Sequence, residues 1–167
     1  MKNKTSTYNS TRSRWSRLEC RISMKNIFLN LILFSSFLFT DDSYNNPESV
    51  IKEFFYHFNQ MDIEKIDSLW DSPITYFIGK QIIIGKSYSE IVNYKNLKKE
   101  GWSYSKINSI NPKVYQEDFG IYTVNFTRFN DQDVGVLTTD TNLTLIKRGD
   151  DWKLKMAIIP MNISIGK

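Results

Sequence analysis

Three side chains in this 167-residue sequence have the chemistry to hold or act on a ligand, and none has partners at a spacing that completes a catalytic motif. His57, the only histidine, follows Phe54 by three residues and precedes Met61 by four, so it flanks an apolar stripe at helical spacing. An imidazole at a pocket mouth titrates near neutral pH and can serve as a general base. The other reading is a half-buried structural histidine, favoured because no carboxylate is expected beside it to orient the ring. Arg128 continues the alternation Tyr122, Val124, Phe126 and so points with them toward the interior or its rim. There its planar fork can grip a carboxylate or phosphate; a structural ion pair with Glu117, Asp131 or Asp133 is an equal alternative. Tyr76 shares a strand face with Ile74 and Ile78 and can offer its hydroxyl to a ligand, against ordinary packing with that hydroxyl satisfied internally.

Other chemistries lack their residues. No His, Asp and Glu cluster has metal-ligand spacing, no Gly-rich loop opens a helix to cradle phosphate, and no serine stands at a nucleophile elbow. No metal and no cofactor is therefore expected. Lys2, Lys4, Arg12, Arg14, Arg17 and Arg21 stand against Glu19 alone in the first 23 residues, a net +5 out of a formal +4, which leaves −1 for the remainder. The basic pI of about 9.0 belongs to the front of the chain, and the rest lacks the electrostatic footprint of nucleic-acid binding. The single cysteine, Cys20, lies in that same front stretch and offers the remainder neither a disulfide nor a metal cluster.

The elements that must position these candidates begin after a leader. Residues 1–23 read as a polar basic tail or as residues upstream of a true start at Met24, the second being preferred. From Met24 to Thr40 the order is a basic start, a 13-residue apolar run from Ile27 to Phe39, and a polar exit. That is the layout of a signal peptide, and the run is shorter than the ~20 residues of a membrane span. Small residues are not found at both key cleavage positions around Ser36 to Thr40, so an uncleaved anchor is the alternative. Export to the periplasm or the medium is expected, with a membrane association only through this leader. A linker over 41–46 leads into one domain over 47–160, and 161–167 read as a tail.

Asn46-Pro47-Glu48 predicts a helix start, with a capping side chain, Pro in the first turn and a carboxylate at the positive end. Val50, Ile51, Phe54, Phe55, Phe58 and Met61 make its buried stripe. Asp62 caps a second helix carrying Ile63, Ile66, Leu69 and Trp70, stopped at Ser72-Pro73. Extended segments follow at 74–78 and 81–84. A capping box, Ser87-Tyr88-Ser89-Glu90, predicts a third helix with Ile91, Val92, Tyr94 and Leu97 inside, closed by a left-handed Gly101. Four strands come next, over 102–117, 121–129, 134–147 and 152–160. The two-residue loop Gly149-Asp150 sets Leu145 opposite Leu154, Leu143 opposite Met156 and Thr141 opposite Ile158 on one face, with Lys153 and Lys155 on the other. The class is α+β, with a curved antiparallel or mixed sheet.

This order, the stretch Phe54-Phe55-Tyr56-His57-Phe58-Asn59-Gln60-Met61-Asp62 with its continuation to Leu69-Trp70, and the closing Arg148-Gly149-Asp150-Asp151-Trp152-Lys153-Leu154 resemble the nuclear transport factor 2-like superfamily, particularly its SnoaL-like members. The resemblance implies a cone, in which a bent sheet wraps a long N-terminal helix beside two shorter ones and leaves a pocket at the wide end. It also implies a choice of roles. Members include isomerases, dehydratases and hydrolases of small apolar molecules, and binding or dimerisation domains without chemistry. The steroid isomerase branch puts a Tyr on the first helix and an acidic base on the first strand. This chain has Phe54 at the first position and Thr75, Tyr76 and Phe77 around the second, which counts against that chemistry. The first expectation is therefore an exported domain binding a small hydrophobic molecule or a partner in an apolar pocket, without catalysis. An enzyme using His57 or Tyr76 for proton transfer is the second, and a homodimer through the exposed sheet face the third.

Overall fold

The computed structural model describes residues 46–159 and 163–166. The expected tail, leader and linker up to residue 45 lie outside them. No helix among the described residues is long and apolar enough to cross a membrane.

Helix α1, Pro47–Gln60, starts as its sequence dictates: the Asn46 side chain accepts the Ser49 N–H at 2.8 Å, and Pro47 occupies the first turn. Val50, Ile51, Phe54, Phe55 and Phe58 bury its apolar face. Met61, expected as the last member of that stripe, instead adopts φ 56° and is 38% exposed. It closes the helix: its N–H reaches the Phe58 carbonyl and the Asp62 N–H reaches the His57 carbonyl, both at 3.1 Å. This double bond pattern satisfies the helix's last carbonyls and turns the methionine away from the core.

Asp62 then caps α2, Ile63–Leu69, by accepting the Lys65 N–H at 3.2 Å. Trp70 is not on this helix but opens β1, Trp70–Ile78, which therefore begins earlier than expected and contains a cis Ser72-Pro73 bond. Strand β2, Gln81–Gly85, pairs with β1 in a hairpin.

The expected third helix is divided into a 3-10 turn, Tyr88–Glu90, and a short α3, Tyr94–Lys99. The capping box does not form. Glu90 accepts the Lys86 N–H at 2.9 Å while the Ser87 hydroxyl pairs with that of Ser89. Two competing partners explain the break. The Asn93 side chain caps α3 through the Asn96 N–H at 3.1 Å, and the Asn93 N–H is taken by the carbonyl of Ile165 from the end of the chain. Gly101, with φ 87°, closes α3 as expected.

Strands β3 (Tyr104–Tyr115), β4 (Phe119–Phe129), β5 (Gly135–Arg148) and β6 (Asp151–Ile159) complete a six-stranded sheet in the order β2-β1-β6-β5-β4-β3. All neighbours run antiparallel except β1 and β6, which are parallel. The result is an α+β cone, the curved mixed sheet wrapping α1. The expected register holds at Leu145 opposite Leu154 and then shifts, with Thr144 opposite Met156 and Leu143 opposite Ala157. The extra residue is Lys155, a β-bulge that exchanges the two faces beyond it. Ala157 and Ile159 are buried in consequence, and Ile158 is 43% exposed.

The bulge has a partner. Lys155 Nζ lies 2.7 Å from Asp71 Oδ2 on β1, and Arg148 Nε donates to Asp71 Oδ1 at 2.9 Å, so one carboxylate ties β1 to β5 and β6. The hydrogen bond from Arg148, then that from Lys155, hold the Asp71 pKa down at about 2 against the opposing effect of burial. A pKa depressed in the folded state contributes stability above the unfolded value and loses it as pH falls through the folded one. Asp71→Asn is therefore expected to cost about 1–2 kcal/mol at pH 7, allowing for solvent screening of the exposed Arg148. In urea denaturation across pH, the gap to wild type should shrink between about pH 4 and pH 2; a gap that persists unchanged at pH 2 would remove the ion pair as its cause.

Candidate functional site

Inside the cone lies a cavity of about 50 Å³. Phe54, Phe55 and Phe58 of α1 form one wall, and Phe126, Leu143, Ala157 and Ile159 of the sheet form the other. Tyr76, Tyr88, Ser105, Arg128 and Thr141 supply its polar atoms. The inward row of β4, Tyr122, Val124 and Phe126, delivers Arg128 at its end, as alternation requires. The row Ile74 and Tyr76 of β1 does the same for the phenol.

The Tyr76 hydroxyl donates to that of Tyr88 at 3.2 Å, in a fully enclosed pair. Burial pushes both phenols well above their ordinary pKa; the hydrogen bond opposes this at Tyr76, and the proximity of Tyr76 adds to it at Tyr88. Both are neutral at physiological pH and serve as hydrogen-bond donors rather than bases. Thr141 and Ser105 are already occupied: the first donates to the Ile158 carbonyl at 2.9 Å and the second accepts the Trp102 indole N–H at 3.0 Å.

Arg128 is different. Its Nη1 donates to the Ser164 carbonyl at 2.7 Å, while its Nε is buried with no partner. The ion pairs expected with Glu117, Asp131 or Asp133 do not form; Asp133 instead accepts the Tyr104 hydroxyl at 3.2 Å. Burial lowers the guanidinium's pKa, with Tyr88, Glu100 and Tyr76 opposing, but an arginine so placed stays charged. The result is a cation on the wall of an apolar cavity, with one bond among the described residues, to a neutral carbonyl.

His57 is not part of this lining. Its Nε2 lies 3.4 Å from Glu53 Oε2, its Nδ1 3.6 Å from Asp62 Oδ2, and its ring stacks edge-on to Tyr56. The expectation that no carboxylate would orient it overlooked Glu53, one helical turn earlier. Asp62 reaches the other nitrogen because the left-handed Met61 folds the chain back. The structure thus brings Tyr76 and Arg128 together and leaves His57 outside.

Sequence reasoning missed Tyr88, which it assigned only to the interior of a capping box, and the end of the chain. Ile163 and Ile165, placed in a tail by the sequence, are buried and line the cavity. Asn93 and Asn96 anchor this segment through the Ile165 and Gly166 carbonyls at 3.1 and 2.8 Å. The only advance signal was the alternation Met161, Ile163, Ile165.

Among solved structures, a protein with a cystatin-like fold from Nostoc punctiforme PCC 73102 is similar at 15% identity and a TM-score of 0.57, over 71% of this chain and 90% of that one. An NTF2-like protein with a cystatin-like fold from Novosphingobium aromaticivorans is similar at 12% identity and a TM-score of 0.56, over 83% and 90%. An NTF-2 like protein from Shewanella oneidensis MR-1 is similar at 14% identity and a TM-score of 0.52, over 67% and 93%. At such identities the likeness is one of fold. No curated protein is detectably similar to the chain. The family described as NTF2-like protein (DUF6841) matches residues 46–160, the whole of the cone from the cap of α1 to the end of β6, and the chain belongs to that family.

Proposed function

We propose that this domain is an exported binding module that holds a small, largely apolar ligand without converting it. The observation that carries this reading is the chemistry of the cavity wall: hydrocarbon and aromatic rings, neutral hydroxyls and one guanidinium. Proton transfer needs a base of tuned pKa beside the reacting atom. Among the described residues that line the cavity there is no carboxylate and no imidazole, and the two phenols are held neutral by burial. An isomerase or dehydratase reading would have to place its base elsewhere. The basic, apolar, polar order of residues 24–40 supports export. Assembly through the outer sheet face has less support, because that face carries a polar ladder. Asn108, Asn125 and Asp140 bond in sequence across β3, β4 and β5, and Thr123 donates to Asn142.

Small apolar molecules titrated into the purified protein are expected to raise its unfolding midpoint with the logarithm of ligand concentration, by about ten degrees at a hundredfold excess over Kd, roughly 2.7 kcal/mol of linkage. NMR of the recovered ligand should show it unchanged. A ligand returned chemically altered, at a rate lost in Tyr76→Phe, would replace binding with catalysis.

A further inference from the structure

We propose that the ligand is a short monocarboxylate whose head group is received by Arg128, a conclusion that rests on reading the cavity as a ligand site. Arg128 is half-buried, and a guanidinium even partly removed from water is costly unless an anion pairs with it and its N–H groups are satisfied. Arg128 offers five N–H donors. Among the described residues its one hydrogen bond goes to the Ser164 carbonyl, Nε is buried and unpaired, and no carboxylate forms an ion pair with it. The Tyr76 and Tyr88 hydroxyls in the lining bond to each other and, being neutral, cannot supply the missing negative charge.

The walls decide which anion. A phosphate dianion brings a second charge and more acceptor oxygens than one guanidinium and a half-used phenol pair can meet, and the remaining lining is hydrocarbon. A monocarboxylate brings one charge and two coplanar oxygens, which is what an arginine fork matches, and its alkyl end fits against Phe54, Phe58 and Phe126. A water-sized group occupies about 10–15 Å³ of such space, so the cavity of about 50 Å³ takes a chain of about four such groups.

The same guanidinium also holds the segment Ile163 to Gly166 in place, through Ser164. A carboxylate arriving at Arg128 competes with that carbonyl. Ligands longer than the cavity are therefore accommodated by loosening the segment whose Ile163 and Ile165 close it.

The test is isothermal titration calorimetry on the full chain with butyrate, 1-butanol and inorganic phosphate. Butyrate is expected to bind at least roughly tenfold more tightly than butanol. That preference should collapse toward unity in Arg128→Met, which keeps the apolar stem without the guanidinium, and fall sharply in Arg128→Lys, which keeps charge without the fork. Circular dichroism confirms that each variant is folded; Arg128→Lys carries the test if the methionine variant is not. Butanol binding as tightly as butyrate, or a preference that survives both substitutions, overturns the carboxylate assignment and leaves the apolar pocket standing. Arg128-dependent binding of phosphate without binding of butyrate overturns it in favour of another anion. Failure of butyrate and butanol alike, in wild type, overturns both this assignment and the pocket reading beneath it.

Discussion

Phe58→Ala is expected to lower folding stability by about 3–5 kcal/mol, a large share of the ~5–15 kcal/mol that holds a domain of this size. The ring is 8% exposed and touches four others: Trp102 at 5.0 Å between centroids, Tyr94 at 5.1 Å, Phe54 at 5.9 Å and Tyr88 at 6.3 Å. These partners come from α1, the 3-10 turn, α3 and the entry to β3, so one side chain joins α1 to three other segments. Its position on the cavity wall makes the loss larger. A truncation beside an existing void enlarges it, and the residual cavity adds to the transfer term instead of relaxing away. Urea denaturation measures the effect, with Ile82→Ala, at a side chain 60% exposed on the edge strand β2, expected within about 0.5 kcal/mol of wild type. A loss below about 1.5 kcal/mol for Phe58→Ala would mean that the ring cluster closes over the gap.

The same ring shows why α1 was legible in the sequence and its surroundings only partly so. Val50, Phe54 and Phe58 repeat at helical spacing, and a local period survives any tertiary context. Alternation placed Tyr76 and Arg128 on inward rows in the same way. The hairpin register was readable only as far as Leu145. Beyond it Met156, Ala157, Ile158 and Ile159 are apolar at successive positions, so either face can be the buried one. The choice falls to Lys155, pulled out of register toward Asp71 on a strand far away in sequence. The break before α3 is likewise decided at a distance, by Ile165 accepting the Asn93 N–H. Tyr88 and Ile165 entered the site from a turn and a chain end, which carry no period to read. Glu53 beside His57, by contrast, was visible at one-turn spacing; only Asp62, brought back by Met61, needed the structure.

Asn59→Ala is the second large effect, about 2–4 kcal/mol, and it arises from hydrogen bonds rather than burial. The Asn59 Nδ2 donates to the Ser105 carbonyl and its Oδ1 accepts the Ser105 N–H, both at 2.8 Å. Strand β3 is at the end of the sheet with β4 on one side only, and at Ser105 the α1 side chain takes the place of a missing neighbour strand. Alanine leaves a donor and an acceptor without partners next to a side chain that is 4% exposed, and each orphan costs about 1–3 kcal/mol. Ser105 pairs with Arg128 across β3 and β4, so the clasp also steadies the strand position facing the guanidinium. Asn59→Asp separates the two bonds. Its carboxylate still accepts the Ser105 N–H but opposes the Ser105 carbonyl, which disfavours the charged form and raises the folded pKa. Stability tied to a raised pKa is present at low pH and lost as pH rises, so Asn59→Asp should be weakest at pH 7 and recover relative to wild type toward about pH 4. Urea midpoints at the two pH values and faster exchange of the Ser105 amide in Asn59→Ala are the measurements. A variant whose deficit is the same at both would show that Asn59 acts through packing, and that the edge of β3 beside Arg128 is held by something other than this pair of bonds.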